Sequence, residues 1–305
     1  MSKIALIIGG TGGLGRATAE LLAQKDCTVI VAARNAAKGD EVVTTIQAAG
    51  GSASFLPVDL ANRQTIRDLH AEVQSQYSRL DIAVNAAGIG GPIQLMQDVP
   101  EDDLDALFTT NITGFYISMQ EQMRLMLASQ KTKSSNQEDV TTTSPSADAD
   151  PLVTDANANA NANANANANG TTSPSKPSFH IINLASIYAS LGIPYGTAYC
   201  ASKHAVLGMT RAAALEGARH GIYVNSISPG MIPTGILGEL GERLAALEGA
   251  EHEWFRSLDW TKCYPAGRFG SVGDVARAVG WIVENDWLVG SDVRVDGGYG
   301  GLVMG

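Results

Sequence analysis

"IIGGTGGLGRA", residues 7–17, is an apolar run that breaks into a glycine-rich turn and resumes at Leu14 as the start of a helical pattern. A buried strand, a loop with little side-chain bulk and a helix, in that order, outline a phosphate cradle. Glycines let backbone approach an anion closely. The helix amino terminus adds unpaired N–H groups and the positive end of its dipole. The spacing alone leaves three readings open. Gly10, Gly12 and Gly15 fit the general dinucleotide pattern G-x-G-x-x-G; Gly9, Gly12 and Gly15 fit G-x-x-G-x-x-G; Gly9, Gly13 and Gly15 fit G-x-x-x-G-x-G. The rest of the chain must decide between them.

Outward from this stretch, short β-branched runs alternate with longer amphipathic segments. Strands are predicted at Ile4–Ile8, Thr28–Ala33, Ser54–Val58, Leu80–Asn85, Phe179–Ser186, Tyr223–Ser228 and Asp292–Val295. Helices are predicted at Leu14–Gln24, through Val42 and Ile46, near Thr65–Gln76, over Asp103–Ala128, at Ala198–Arg219, near Ile236–Leu247 and near Gly273–Val283. Such alternation predicts an α/β fold, a doubly wound parallel sheet with helices on both faces and ligands at the carboxyl ends of the strands.

Lys131–Ser178 interrupts this pattern with Ser, Thr, Pro, Asp, Asn and Ala, including seven consecutive Ala-Asn pairs from Ala156 to Asn169. So little apolar surface cannot offset the entropy of ordering the segment, which predicts a disordered polar insert. Residues 1–305 otherwise read as a single domain. Because the insert joins the end of a helix to the start of a strand, it is expected on the sheet edge away from the ligand.

The formal charge of −10 argues against nucleic acid or an anionic membrane as partner. An apolar content of 45% is ample for a core. Cys27, Cys200 and Cys263 are odd in number and lack metal spacing, which suits reduced thiols in the cytoplasm. The apolar run near the amino terminus is too short for a signal-peptide core or a span. "EHEW" around His252 lacks a second cluster of ligands, so no metal is expected. His70, His180, His204 and His220 are scattered, and without G-x-S-x-G a serine hydrolase is unsupported.

Three further pieces carry chemistry. "VDL" puts Asp59 and Leu60 just past the third strand, where a carboxylate can accept from an adenine amino group. "NAAG", Asn85, Ala86, Ala87 and Gly88, closes the fourth strand with small residues that admit a cofactor. "INLASIYASLGIPYGTAYCASKHAV" begins at Ile182 and holds Ser186 at the strand end, then Tyr199 and Lys203 four apart on one helical face. A free phenol has a pKa of about 10. A nearby ammonium, like a cationic nicotinamide ring, is expected to favour the phenolate and make Tyr199 a usable acid/base. The Ser186 hydroxyl can hold a reacting carbonyl oxygen.

With these residues the chain resembles the short-chain dehydrogenase/reductase superfamily from Lys3 to about Gly298, the insert apart. "NITG" at Asn111, "SPGMIPTG" from Ser228 and "GRFG…RVDGG" from Gly267 extend the likeness. It implies a Rossmann-type fold with catalytic Ser186, Tyr199 and Lys203. Asn111 would anchor a proton-relay water, and Lys203 would also hold the nicotinamide ribose. Pro229, Gly230, Ile232 and Thr234 would touch the nicotinamide amide or the phosphates. The compact branch of the family, without a large carboxyl-terminal substrate domain, uses G-x-x-x-G-x-G. That selects Gly9, Gly13 and Gly15, with Leu14 between them. Ile8 departs from the threonine usual before the first glycine, with an expected small cost in loop rigidity.

Ala33 stands where NAD-preferring relatives carry Asp, and Arg34 follows with a fork suited to a 2′-phosphate. NADP(H) is therefore expected, with NAD(H) use as the alternative. The implied activity is hydride transfer between nicotinamide and a carbonyl or secondary alcohol of a small, apolar substrate. A cofactor-binding regulator or scaffold without turnover, and a dehydratase or isomerase, are the alternatives. Wall residues are expected at Ile89, Pro92, Ile93, Ile187, Tyr188, Ile193, Pro194 and Tyr195. A lid is expected over Ile236–Tyr264, with Trp254, Phe255, Trp260 and Tyr264. The resemblance implies a homodimer or homotetramer built through the helices near Asp103–Ala128 and Ala198–Arg219.

Overall fold

The structure is a computed structural model that describes residues 2–135, 178–235, 238, 253 and 257–302. The order of the insert, the helix expected near Ile236–Leu247, and His252, Trp254 and Phe255 fall outside those residues.

Seven strands form one parallel sheet: β1 Ile4–Ile8, β2 Thr28–Ala33, β3 Ser52–Pro57, β4 Ile82–Asn85, β5 Phe179–Leu184, β6 Ile222–Pro229 and β7 Asp292–Val295. Their spatial order is β3-β2-β1-β4-β5-β6-β7. The order reverses between β1 and β4, and the crevice at such a switch point is where open α/β sheets take ligands.

Both faces are covered because both sets of alternating strand residues are apolar. Ile4, Leu6 and Ile8 of β1, with Ile30 and Ala32 of β2, face one core. Helices α3 (Arg63–Tyr77), α5 (Phe115–Ser135) and α6 (Thr197–Ala218) complete it through Ile66, Leu69, Phe115, Met126, Val206 and Ala214. Ala5, Ile7, Val29 and Val31 point the other way. There they meet α1 (Gly13–Gln24), α2 (Ala36–Ala48) and the helix Val272–Ile282, through Leu22, Ile46, Val275 and Val279. The period of two in each strand thus sorts its side chains between two cores.

The long helix expected over Asp103–Ala128 is divided. α4 (Glu101–Phe108) passes through a π-helical turn, Thr109–Gly114, into α5. Gly114 allows this turn to lie against the loop after β3, since a Cβ there would sit 2.0 Å from the Leu60 carbonyl oxygen. β5 ends at Leu184, two residues before the predicted limit, because Ser186 already caps a 3-10 turn over Ile187–Ala189. β3 begins two residues earlier than predicted, at Ser52.

The residues that flank the insert lie on the sheet edge away from the switch point. Phe179 opens β5, bonded to Gly221 in the turn before β6, and Gln130 of α5 donates to the His220 carbonyl in the same turn. Both belong to the amino-terminal edge of the sheet. Among the described residues no helix is long and apolar enough to cross a membrane.

Candidate active site

The glycine turn is held by backbone, not by side chains. Gly9 N–H donates to Ala32 O at 2.8 Å, and Ala86 N–H donates to Ile8 O at 2.8 Å. The loop is therefore tied to the ends of β2 and β4 at the switch point, and Ile8 itself is fully buried in the core. Gly9 has φ +83°, and a Cβ on it would lie 2.5 Å from the Ala87 amide nitrogen. A Cβ on Gly15 would lie 2.2 Å from the Gly9 carbonyl oxygen, whereas one on Gly12 meets nothing closer than 3.4 Å. One on Gly13 would lie 2.9 Å from the Thr234 methyl, which brings "SPGMIPTG" against the cradle.

α2 and α3 carry Asn caps and Val272–Ile282 a capping box, yet Gly12 gives α1 no side-chain cap. The first N–H groups of α1 are thus left for an external acceptor. A Cβ on Gly88 would sit 3.2 Å from Asn111 Oδ1 and 3.7 Å from Lys203 Nζ, so this glycine keeps a gap between them. An uncapped helix start and a cradle kept clear by glycines fit a dinucleotide. Gly9, Gly13, Leu14 and Gly15 would face its phosphates, and Gly88, Asn111 and Lys203 its far end.

Asp59 stands just past β3. Its carboxylate accepts from Ala61 N–H at 3.0 Å, and its backbone N–H donates to Thr65 Oγ1 at 3.0 Å, which fixes its direction. Leu60 is buried in the core, with its carbonyl oxygen against Gly114. Arg34 is exposed directly after β2 and makes no ion pair among the described residues. Pro229 ends β6, and Gly230 N–H donates to Val295 O at 3.0 Å. Ile232 is buried against Gly270.

Asn85 and Asn111 do different things. The Asn85 carboxamide is turned into the core, donating to Gln122 Oε1 at 3.0 Å and to Asn183 Oδ1 at 2.9 Å. Gln122 returns a bond to Asn85 at 2.7 Å, and Asn183 donates to Thr210 at 2.9 Å. This closed polar network fixes the ends of β4 and β5 beneath the site. Nothing in the "NAAG" motif itself foretells Gln122, Asn183 or Thr210 as partners. Asn111, in the π-helical turn, donates to Ile89 O and accepts from Ile89 N–H, both at 2.9 Å, and donates to Ser202 Oγ at 3.2 Å. A π-turn adds a residue to the helical path, and such turns recur at functional sites.

Ser186, Tyr199 and Lys203 come together at the carboxyl end of β5. Ser186 Oγ accepts from Tyr188 N–H at 3.2 Å and is hydrogen-bonded to the Tyr199 hydroxyl. Lys203 Nζ is buried, 5.7 Å from the centre of the Tyr199 ring, and donates to Leu184 O at 3.1 Å. The phenol does not shift in the direction its spacing from the amine suggests. Burial raises the Tyr199 phenol above its ordinary value, opposed by the Ser186 hydrogen bond and not by the ammonium. The amine is instead hydrogen-bonded to the Leu184 carbonyl. Burial instead brings Lys203 down to about 8.

That shift predicts a stability effect. Between about pH 8 and the ordinary lysine value the unfolded chain binds a proton that the folded chain does not, so this group's contribution rises with pH. Relative to Lys203→Met, wild-type stability should gain up to about 3 kcal/mol across that window. Urea melts of both proteins from about pH 7 to 10.5 check it; a constant difference contradicts it.

Several aromatic groups close this edge. Tyr188, Tyr264 and Tyr299 form a cluster. The Tyr188 and Tyr299 ring centres are 6.4 Å apart, and those of Tyr264 and Tyr299 are 5.2 Å apart. Tyr264 also accepts from Met231 N–H at 2.8 Å, which pins the loop after β6. Tyr299 was not foreseen, because its glycine-rich surroundings carry no periodic signal. Tyr195 is buried with φ +64°, an uncommon conformation for an aromatic residue, and its carbonyl accepts from Gln94 N–H at 3.1 Å. This joins the loops after β4 and β5.

Comparison with known proteins agrees with the fold. Residues 3–148 match the family described as "short chain dehydrogenase", and residues 153–300 match "Enoyl-(Acyl carrier protein) reductase". The chain belongs to the short-chain dehydrogenase/reductase superfamily, nicotinamide-dependent oxidoreductases acting on alcohols and carbonyls. It is 31% identical over 227 residues to a 3beta-hydroxysteroid dehydrogenase of Mediterraneibacter gnavus, a match over 74% of this chain and 65% of that protein. It is 29% identical over 303 residues to a cyclohexanol dehydrogenase of an Acinetobacter species, a match over 98% of this chain and 95% of that one. Among solved structures, a single-residue variant of actinorhodin polyketide ketoreductase with NADPH shares the fold at a TM-score of 0.75 and 24% identity, covering 98% of this chain and 97% of that one.

Proposed function

We propose that the chain is an NADP(H)-dependent dehydrogenase/reductase that interconverts a ketone and a secondary alcohol on an apolar, alicyclic substrate. The observation that carries the reading is the bonded pair of Ser186 and Tyr199 hydroxyls with the Lys203 amine buried beside the ring. When bound, the nicotinamide supplies or takes the hydride. Tyr199 holds the proton that goes to, or comes from, the substrate oxygen. Ser186 Oγ positions that oxygen. Lys203 holds the ribose, and Asn111, fixed by Ile89 and Ser202, supports the proton relay to Lys203. Gly9, Gly13, Leu14 and Gly15 take the phosphates, and Asp59 takes the adenine with the backbone of Leu60. Asn85, Ala86, Gly88, Pro229, Gly230, Ile232 and Thr234 shape the channel. For Asn85 this role belongs to its backbone, since its side chain is committed to the core.

The ring alcohols named in two relatives, a hydroxysteroid and cyclohexanol, support the substrate class. NADP(H) preference rests on Arg34, exposed and without an ion pair among the described residues at the end of β2. Arg34→Ala should weaken NADPH binding about tenfold and leave NADH within about twofold, as expected for one charge-assisted contact to a 2′-phosphate. Fluorescence titration with both cofactors measures this. Equal loss for both would remove the basis for NADP(H) preference.

The whole chain is read as one catalytic domain with the polar insert on the edge opposite the site. Free thiols at Cys27, Cys200 and Cys263 suit a cytoplasmic enzyme, and α4–α5 and α6 are its assembly faces in a dimer or tetramer. The deciding experiment follows NADPH absorbance with cyclohexanone, acyclic ketones and aldehydes. Consumption with cyclic ketones supports the proposal. Binding without consumption on any carbonyl overturns it in favour of a regulator. Substrate change without net cofactor oxidation points to a dehydratase or isomerase.

A further inference from the structure

Tyr188 lies two residues past Ser186, and its own N–H is the donor that Ser186 Oγ accepts at 3.2 Å. Its placement is therefore mechanically tied to the hydroxyl that positions the reacting oxygen. Its ring stands edge-on to Tyr299. Tyr188, Tyr264 and Tyr299 follow the carboxyl ends of three neighbouring strands, β5, β6 and β7, so the cluster roofs the edge where ligands bind in this fold. Tyr264 has its partner in Met231. Tyr188 is less well served: its hydroxyl is enclosed, and its contact with the Tyr299 hydroxyl falls short of good hydrogen-bond geometry. Its polar neighbour is the Tyr299 phenol, which helps burial push Tyr188 well above its ordinary value. The hydroxyl therefore stays protonated and able to donate at any working pH. A phenylalanine would fill the same space without leaving a polar atom unsatisfied, which makes the hydroxyl a cost to the unliganded fold.

We propose that the Tyr188 hydroxyl is a second substrate-binding group, and that the substrate carries a hydrogen-bonding oxygen beside the one that reacts: a hydroxyketone or diketone in one direction, a diol in the other. This rests on the ketone–alcohol reading given above and narrows it. An apolar ketone would leave the hydroxyl unmet. A site built to bond a substrate oxygen discriminates against the analogue that lacks it more strongly than an apolar wall does against one that has it.

The test compares 2-hydroxycyclohexanone with cyclohexanone as substrates of the full chain with NADPH. Wild type should prefer the oxygenated ketone in kcat/KM. In Tyr188→Phe the ratio of the two values should fall about 10- to 100-fold. NADPH titration of the variant, with affinity retained within about threefold, reports an intact fold. A wild type without preference, or an unchanged ratio in the variant, overturns the inference while leaving the ketone–alcohol reading standing. A wild type that consumes NADPH with neither ketone nor any other carbonyl overturns both.

Discussion

Tyr199→Phe should lower turnover by about 10²–10⁴-fold, the range over which a positioned acid/base contributes. NADPH affinity should stay within about twofold. The substitution removes one oxygen and keeps the ring, so the packing around Lys203 survives. The oxygen removed is the one bonded to Ser186. Burial raises the phenol, so at neutral pH the protein's own groups favour the acid form, the form that ketone reduction needs. Reduction should therefore be flat through neutral pH and fall as pH rises through the phenol's ionisation, with alcohol oxidation running the opposite way. Steady-state rates in both directions and a cofactor titration check this. A Tyr199→Phe protein with wild-type turnover would remove Tyr199 from the chemistry.

Gly15→Ala should abolish NADPH binding, weakening it by at least about 100-fold, or leave no folded protein. The added methyl would lie 2.2 Å from the Gly9 carbonyl oxygen and 2.8 Å from its carbonyl carbon. Both are backbone atoms: Gly9 N–H is bonded to Ala32 O of β2 and Gly9 O accepts from Gly12 N–H at 3.0 Å, so neither can swing aside as a side chain can. Gly12→Ala is the matched control. Gly12 has φ −80°, ordinary for any residue, and its Cβ would reach only 3.4 Å from the Gly9 oxygen. It should bind NADPH within about threefold of wild type. The pair distinguishes the three glycine spacings, because two of them require Gly12 and the third does not. Thermal melts separate lost binding from lost folding. A Gly12→Ala variant as damaged as Gly15→Ala would contradict the compact-branch assignment.

Much of this site is legible in the order of residues. Tyr199 and Lys203 are set on one helical face by their spacing, and the family resemblance adds Ser186 at a strand end. Four of the seven strands depart from their predicted bounds, β3 and β5 among them, because the hydrogen bonds that close a strand come from distant chain. The division of the helix after Glu101 was not legible. α-Helical and π-helical turns share composition, and the group the π-turn packs against, Leu60, is far off in sequence. The upward Tyr199 shift in the chain alone has a related cause. A four-residue spacing puts an amine near a phenol but does not say that the amine points at the Leu184 carbonyl.

The sequence by itself determined the parallel α/β fold, the cradle, the Ser–Tyr–Lys set and the polar insert, because each is written in local spacing, periodicity or composition. Only the tertiary structure decided that Gly12 has room where Gly15 has none, that the Asn85 side chain serves the core, and that three tyrosines from separate connections share one roof. Those outcomes depend on which distant groups occupy the neighbouring few ångströms, and no local pattern carries that distance.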